Sequence, residues 1–262
     1  MRFVYSWLRN MITGWLKLSY AFTFLMRQPH SLSSEPLKMK HILFSVMLFA
    51  TINETIMAQD KLIYIGDPMC SWCYGFAPEL EQIVEQYEGQ VDIELVTGGL
   101  RPYFDKPISE MKDFLSHHWE DVHKASGQPF KYGILDRADL VYDTEPSCRA
   151  VVVVRAMDPK KEFEFFKLAQ EAFYYHNKEM NRVETYADIV TSLGMDKDKF
   201  TQLFESEEYK TAVKRDFERA GTLGVSGFPT MLFVKDGEVH ILSRGYTQKE
   251  KISSKVDQLM RQ

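Results

Sequence analysis

"DPMCSWCYGF", residues 67–76, decides how the rest of this chain is read. It holds two of the three cysteines, Cys70 and Cys73, separated by two residues. Such a C-x-x-C pair can supply half of a zinc site, or it can pass electrons by opening and closing a disulfide. The flanks bear on the choice. Upstream, KLIYIG is a short apolar run of buried-strand type. Downstream, Phe76, Leu80, Ile83, Val84 and Tyr87 recur at helical spacing and give a helix one apolar face. The pair therefore falls where a strand ends and a helix begins. Backbone N–H groups there point at the sulfur of Cys70, and the helix N-terminus favours negative charge. The thiolate is the nucleophilic form of cysteine. On this reading Cys70 is an exposed attacking thiol, and Cys73, in the first helical turn, is a buried resolving thiol.

A zinc site needs four ligands. Cys148 is the only other cysteine, and His117, His118 and His123 lie more than 40 residues from the pair, at spacings that bring no two onto one helical face. The sequence points to no metal and no cofactor.

Beyond the first helix, Gly89 marks a turn. Val91, Ile93 and Leu95 then alternate with Asp92 and Glu94, the period of a half-buried strand. From about 104 to 220 the pattern is helical, with candidate helices at 108–124, 145–157, 161–176, 185–193 and 207–221. Pro146 suits a first helical turn, where its missing N–H costs nothing. Strand character returns at 230–234 (TMLFV). An Asp236-Gly237 hairpin signal follows, then a return strand at 239–242. Thr247 and Glu250 have the spacing of a capping box opening a last helix, with Ile252, Val256 and Leu259 on one face. The order is βαβ, a helical block, then ββα.

The 262 residues are 45% apolar and 13% aromatic, enough for a sizeable core. A net charge of -5 gives a nucleic-acid partner no electrostatic support. Three cysteines are too few for a disulfide framework. Charge is uneven: residues 1–58 carry +4 and the remainder -9. "MKHILFSVMLFATINETIMAQ", from Met39, has a basic start, an apolar stretch at 42–52 and a small residue, Ala58, before a plausible cut. That is a signal-peptide layout, with a large residue, Ile56, at the −3 position. The apolar stretch is shorter than the roughly 20 residues a spanning helix needs. The basic, aromatic segment 1–38 reads as upstream of the true start at Met39, as a long n-region or surface anchor, or as a transit peptide. Export is the expectation, with a cytoplasmic or membrane-anchored protein as the alternative; any membrane contact would run through the leader.

"CSWCYGFAP" resembles the active-site helix of thioredoxin, Pro78 included. "VSGFPTMLFVKDGEV" (225–239) resembles the thioredoxin segment that carries a cis-proline, which would be Pro229 with Phe228 before it. Gly245 falls where that family has a glycine before its last helix. The helical block, "GGLRP" (98–102) and "CRAVV" (148–152) resemble the DsbA-like thioredoxin family, in the branch of predicted protein-disulfide isomerases. The resemblance covers roughly 60–262. It implies a thioredoxin-like α/β fold (βαβ…ββα) with a large all-helical insertion. Residues 59–103 and 221–262 would form the thioredoxin-like part, 104–220 a helical lid, and 1–58 a leader. It also implies thiol–disulfide exchange with protein substrates and an unidentified redox partner, with Phe228 and Pro229 pairing with an extended substrate strand. Two features depart from the family. The acid six residues before the first cysteine is replaced by Tyr64, leaving Asp67 as the nearest acid, either a proton relay to Cys73 or an ordinary turn residue. The Ser71-Trp72 dipeptide has no histidine, so less oxidising power than that of DsbA is expected. Cys148 reads as a small buried helix residue.

Two other functions fit the same scaffold. One is a glutathione-dependent isomerase or transferase of the hydroxychromene-carboxylate isomerase or kappa-type group, in which a serine usually replaces the first cysteine. The other is a non-catalytic binding protein that uses the helical lid as a groove. The direction of electron flow, as oxidase, isomerase or reductase, is not encoded in the motif, because family potentials span about −120 to −270 mV.

Overall fold

The structure, a computed structural model, describes residues 60–262; the leader read at 1–58 lies outside them. Strand β1 (Lys61–Gly66) is followed by α1 (Ser71–Tyr87) and β2 (Asp92–Thr97). A helical run follows: α2 (Lys112–Ser126), entered through a 3-10 turn, α3 (Glu145–Met157), α4 (Glu162–Tyr174), α5 (Val183–Ser192), α6 (Lys197–Glu205) and α7 (Glu207–Thr222). Strands β3 (Thr230–Lys235) and β4 (Glu238–Arg244) and helix α8 (Lys249–Met260) complete the chain. The sheet order is β2-β1-β3-β4. β1 and β2 are parallel, joined through α1, while β3 runs antiparallel to β1 and to β4. Among the described residues no helix is long and apolar enough to cross a membrane.

Both faces of the central strands are covered, which is why KLIYIG and TMLFV read as continuous apolar runs rather than alternating ones. One face sends Leu62, Tyr64, Leu95, Met231 and Phe233 into a large core shared with α1, α8 and the helical run. The other sends Ile63, Ile65, Val96 and Leu232 against Ala220 at the end of α7. Strand β2 keeps the expected alternation: Val91, Ile93 and Leu95 face the large core, while Asp92 and Glu94 pair with Lys61. The β3–β4 turn has positive φ at Asp236 (51°) and Gly237 (82°). That is the primed turn whose twist matches two antiparallel strands.

Two local expectations fail. Helix α6 has no counterpart in the sequence reading. It is short, only Phe200 and Phe204 are buried on it, and its start is set by Asp196, whose side chain accepts the N–H groups of Asp198 and Lys199. The capping box at Thr247 does not form. Gln248 occupies the cap position without a side-chain bond, and Glu79 of α1 accepts the Lys249 N–H at 2.8 Å. A carboxylate from a packed neighbour does the work that a local hydroxyl was expected to do.

Candidate active site

Strand β1 delivers the chain to the N-terminus of α1 through a tight turn, closed by the Cys70 N–H on the Asp67 carbonyl at 3.0 Å. Cys70 is the N-cap residue, with extended backbone (φ -90°, ψ 116°), and its carbonyl accepts the first helical bond, from Tyr74 at 3.0 Å. Pro78 lies inside α1 and cannot donate to the carbonyl of Tyr74 four residues back. The Gln128 amide takes that acceptor at 3.1 Å, so the loop after α2 repairs the helix that carries the cysteines. Gly75 admits α2 closely: a Cβ there would stand 2.6 Å from Val122.

Cys70 is not the exposed thiol that the sequence reading expected. It is 4% exposed and Cys73 0%. The cover over Cys70 is the loop before β3, whose Phe228 carbonyl accepts the Cys70 thiol at 3.6 Å. All three cysteines are free thiols. The Phe228–Pro229 peptide bond is cis. The loop is pinned by Gly245 N–H on the Pro229 carbonyl at 2.7 Å and by the Thr230 hydroxyl on the Gly227 carbonyl at 2.8 Å. It also rests on Gly98: a Cβ there would lie 2.0–2.8 Å from the Phe228 ring. Burial, and then the adjacent Cys70 sulfur, push the Cys73 thiol well above its usual range.

Asp67 is fully buried and its carboxylate is heavily engaged. One oxygen accepts the Met69 N–H at 2.8 Å, the local bond of a turn aspartate. The other accepts the Leu100 N–H at 2.6 Å and the Cys148 thiol at 3.3 Å. Burial raises its pKa, while the two backbone donors work in the opposite direction. Asp67 thus ties the end of β1 to the GGLRP segment and to α3. Cys148 is a buried helix residue, as expected, but with a polar partner that its neighbours in sequence do not announce. Ser71 is buried; Trp72 is half-buried, with its ring edge-to-face with His118 of α2 (5.8 Å) and tilted against Tyr246 (6.2 Å). Burial lowers the pKa of His118. The structure thus gathers Cys70, Cys73, Ser71, Trp72, Asp67, Phe228 and Pro229 around the start of α1. Sequence reasoning missed Gly98, which it met only as part of GGLRP, and Gln128, whose partner is 54 residues away.

A DSBA-like thioredoxin domain is recognised over residues 63–255. The chain belongs to the DsbA-like thioredoxin family. Among solved structures, a candidate protein disulfide isomerase from Nitrosomonas europaea is 33% identical and superposes with a TM-score of 0.72, covering 78% of this chain and 98% of that one. The cytosolic disulfide reductase DsbM of Pseudomonas aeruginosa, 24% identical over 77% of this chain and 98% of its own, shares the fold with a TM-score of 0.66. A curated relative, the ClpXP adapter protein SpxH of Halalkalibacterium halodurans, is 19% identical over 175 residues, 65% of this chain. The match spans 57% of that relative's length. The chain has the mixed four-stranded sheet and many helices of that family.

Proposed function

We propose that this chain exchanges thiols and disulfides with protein substrates through the Cys70–Cys73 couple. The observation that carries this reading is the Cys70 thiol at the N-terminus of α1, facing the Phe228 carbonyl beside Pro229. Cys70 attacks a substrate disulfide, or is attacked in the reverse direction, to give a mixed disulfide; Cys73, enclosed behind it, resolves that intermediate. Ser226 and Gly227 are exposed next to the couple, so an extended substrate segment can pair with this backbone once it displaces the Phe228 carbonyl from the thiol. Asp67 holds the GGLRP segment against the turn before Cys70, and the half-buried Trp72 offers the substrate an apolar face beside the couple. The direction of flux follows from the redox partner that recharges the couple. The fold leaves the compartment open, since one structural neighbour is named cytosolic; the Met39–Ala58 layout supports export, and a mature N-terminus away from Gln59 would remove that support.

Replacing each cysteine separately tests the reading. Cys73→Ser should accumulate mixed disulfides with protein substrates that a reductant releases, and Cys70→Ser should accumulate none. The reverse pattern would exchange the two roles. Unchanged insulin reduction and unchanged refolding of a scrambled substrate in both variants would end the oxidoreductase reading.

A further inference from the structure

Asp67 is fully buried, and among the described residues the hydrogen bonds on its carboxylate come from neutral groups. One oxygen accepts the Met69 N–H at 2.8 Å; the other accepts the Leu100 N–H at 2.6 Å and the Cys148 thiol at 3.3 Å. A protonated carboxyl would turn an O–H against these donors, so the site fits the ionised form. A buried carboxylate on neutral donors is costly, and Asn or Ser closes such a turn without a charge. What the carboxylate adds is reach to a second segment. The β1–β2 ladder ends with the Gly98 N–H on the Gly66 carbonyl at 2.8 Å. The chain turns at Gly99 (φ 68°), and beyond the turn its hold on β1 passes to Asp67 through Leu100. These contacts close a ring. The Asp67 carbonyl accepts the Cys70 N–H at 3.0 Å; the Cys70 thiol donates to the Phe228 carbonyl at 3.6 Å; the Phe228 side chain rests on Gly98, two residues from Leu100.

We propose that Asp67 is a positioning residue for Cys70. Its carboxylate ties the turn that carries the thiol to the 98–100 segment, and that segment, through Gly98, sets where the Phe228 carbonyl stands. This carbonyl belongs to the backbone that an extended substrate pairs with. The ring therefore fixes the attacking sulfur and the substrate's docking edge relative to each other. Asp67 acts through these contacts and passes no proton to either sulfur of the couple. No local pattern supplies the link: 33 positions separate Asp67 from Leu100, and 158 separate Cys70 from Phe228.

This inference rests on the exchange activity proposed above, and the experiment separates the two. The reduced full chain is mixed with an extended peptide whose cysteine is disulfide-bonded to thionitrobenzoate. Cys70, having lost its proton to solvent, attacks the peptide sulfur. The bond to the aryl sulfur breaks, and the aryl thiolate leaves with the electron pair and is read by its colour. In Asp67→Asn the amide nitrogen is a donor, so one side of the residue loses its acceptor. The second-order rate should fall about tenfold, the equivalent of one hydrogen bond to a charged group. Phe228→Ala, which unseats the loop from Gly98, should slow the reaction to a similar extent. Cutting the ring twice costs no more than cutting it once, so the double variant should be about as slow as the slower single variant. Rates that multiply, or an Asp67→Asn rate equal to the parent's, overturn the positioning role. If Asp67→Asn fails to fold, hydrogen exchange in Phe228→Ala decides. The Leu100 and Met69 amides, both on the Asp67 carboxylate, should exchange several-fold faster than in the parent, and unchanged protection of both overturns the role. A parent chain that releases no aryl thiolate overturns the exchange activity, and this inference with it.

Discussion

Phe228 can rest against the backbone at position 98 only because that residue has no side chain. The GGLRP segment thereby helps to set where the Phe228 carbonyl stands relative to Cys70. A methyl group at 98 would overlap the outer edge of the ring, the part most free to move. Gly98→Ala should therefore cost little stability, about 1 kcal/mol, at the low end for overpacking. It should lower thiol–disulfide exchange several-fold by displacing the loop. Thermal melting paired with an exchange assay checks this; normal exchange with a lowered melting temperature would show Gly98 to be a packing residue alone. At this scale the sequence was informative about chemistry and silent about fit. The C-x-x-C, its strand–helix junction and the proline at 229 are local patterns. The contacts of Gly98 with Phe228, Asp67 with Cys148 and Gln128 with Tyr74 join residues that only the fold brings together.

Helices α3, α4 and α7 meet at Arg155, whose guanidinium binds Glu162 (2.5 Å), both oxygens of Asp216 (2.9 and 3.0 Å) and the Leu95 carbonyl of β2 (2.8 Å). Asp216 also accepts the backbone N–H and hydroxyl of Thr97, both at 3.0 Å. The cluster fastens the helical block to the end of the strand beside β1. Two carboxylates share one cation. They hold Arg155 charged, but burial of Glu162 outweighs its share of that charge and pushes its pKa up to about 7. A carboxyl that holds its proton more tightly when folded favours folding at low pH. That contribution is complete below the unfolded value near 4.5 and is lost as pH rises through 7. Between these limits the loss should be on the order of 2–3 kcal/mol. Denaturant midpoints of the parent and of Glu162→Gln from pH 4.5 to 7.5 test it. The parent should decline relative to the variant as pH rises, and parallel curves would refute the assignment. Elements themselves were legible where apolar periodicity was strong: β1 and α3 have the expected bounds. Helix α6, with only two anchors, was missed, and α8 was read but its cap was not, because that cap comes from α1.

Across the described residues, the sheet and the helical block share one continuous core, in which Trp119, Phe130, Phe173 and Tyr174 pack beside Tyr74 of α1. The block is therefore bound into the site rather than hung beside it: Gln128 completes α1 and His118 packs on Trp72. The βαβ…ββα order was readable because each unit has its own period and turn signal. The docking of the block was not, because it depends on side chains facing a surface that no local pattern describes.

The bond from Cys148 to Asp67 has a practical corollary. Burial, and then the charge of Asp67, push this thiol well above its usual range, and it has no exposure. In a Cys70→Ala/Cys73→Ala chain, an alkylating reagent can reach Cys148 only when α3 parts from its neighbours, the β1 turn at Asp67 and α7 at Val213. Labelling at a rate that scales with reagent concentration then measures the fraction of molecules in which that seam is open. Modification of Cys148 in the native chain as fast as in urea would mean that the seam is already open. Otherwise the third cysteine is an intrinsic gauge of local unfolding, placed against Asp67 and needing no introduced probe.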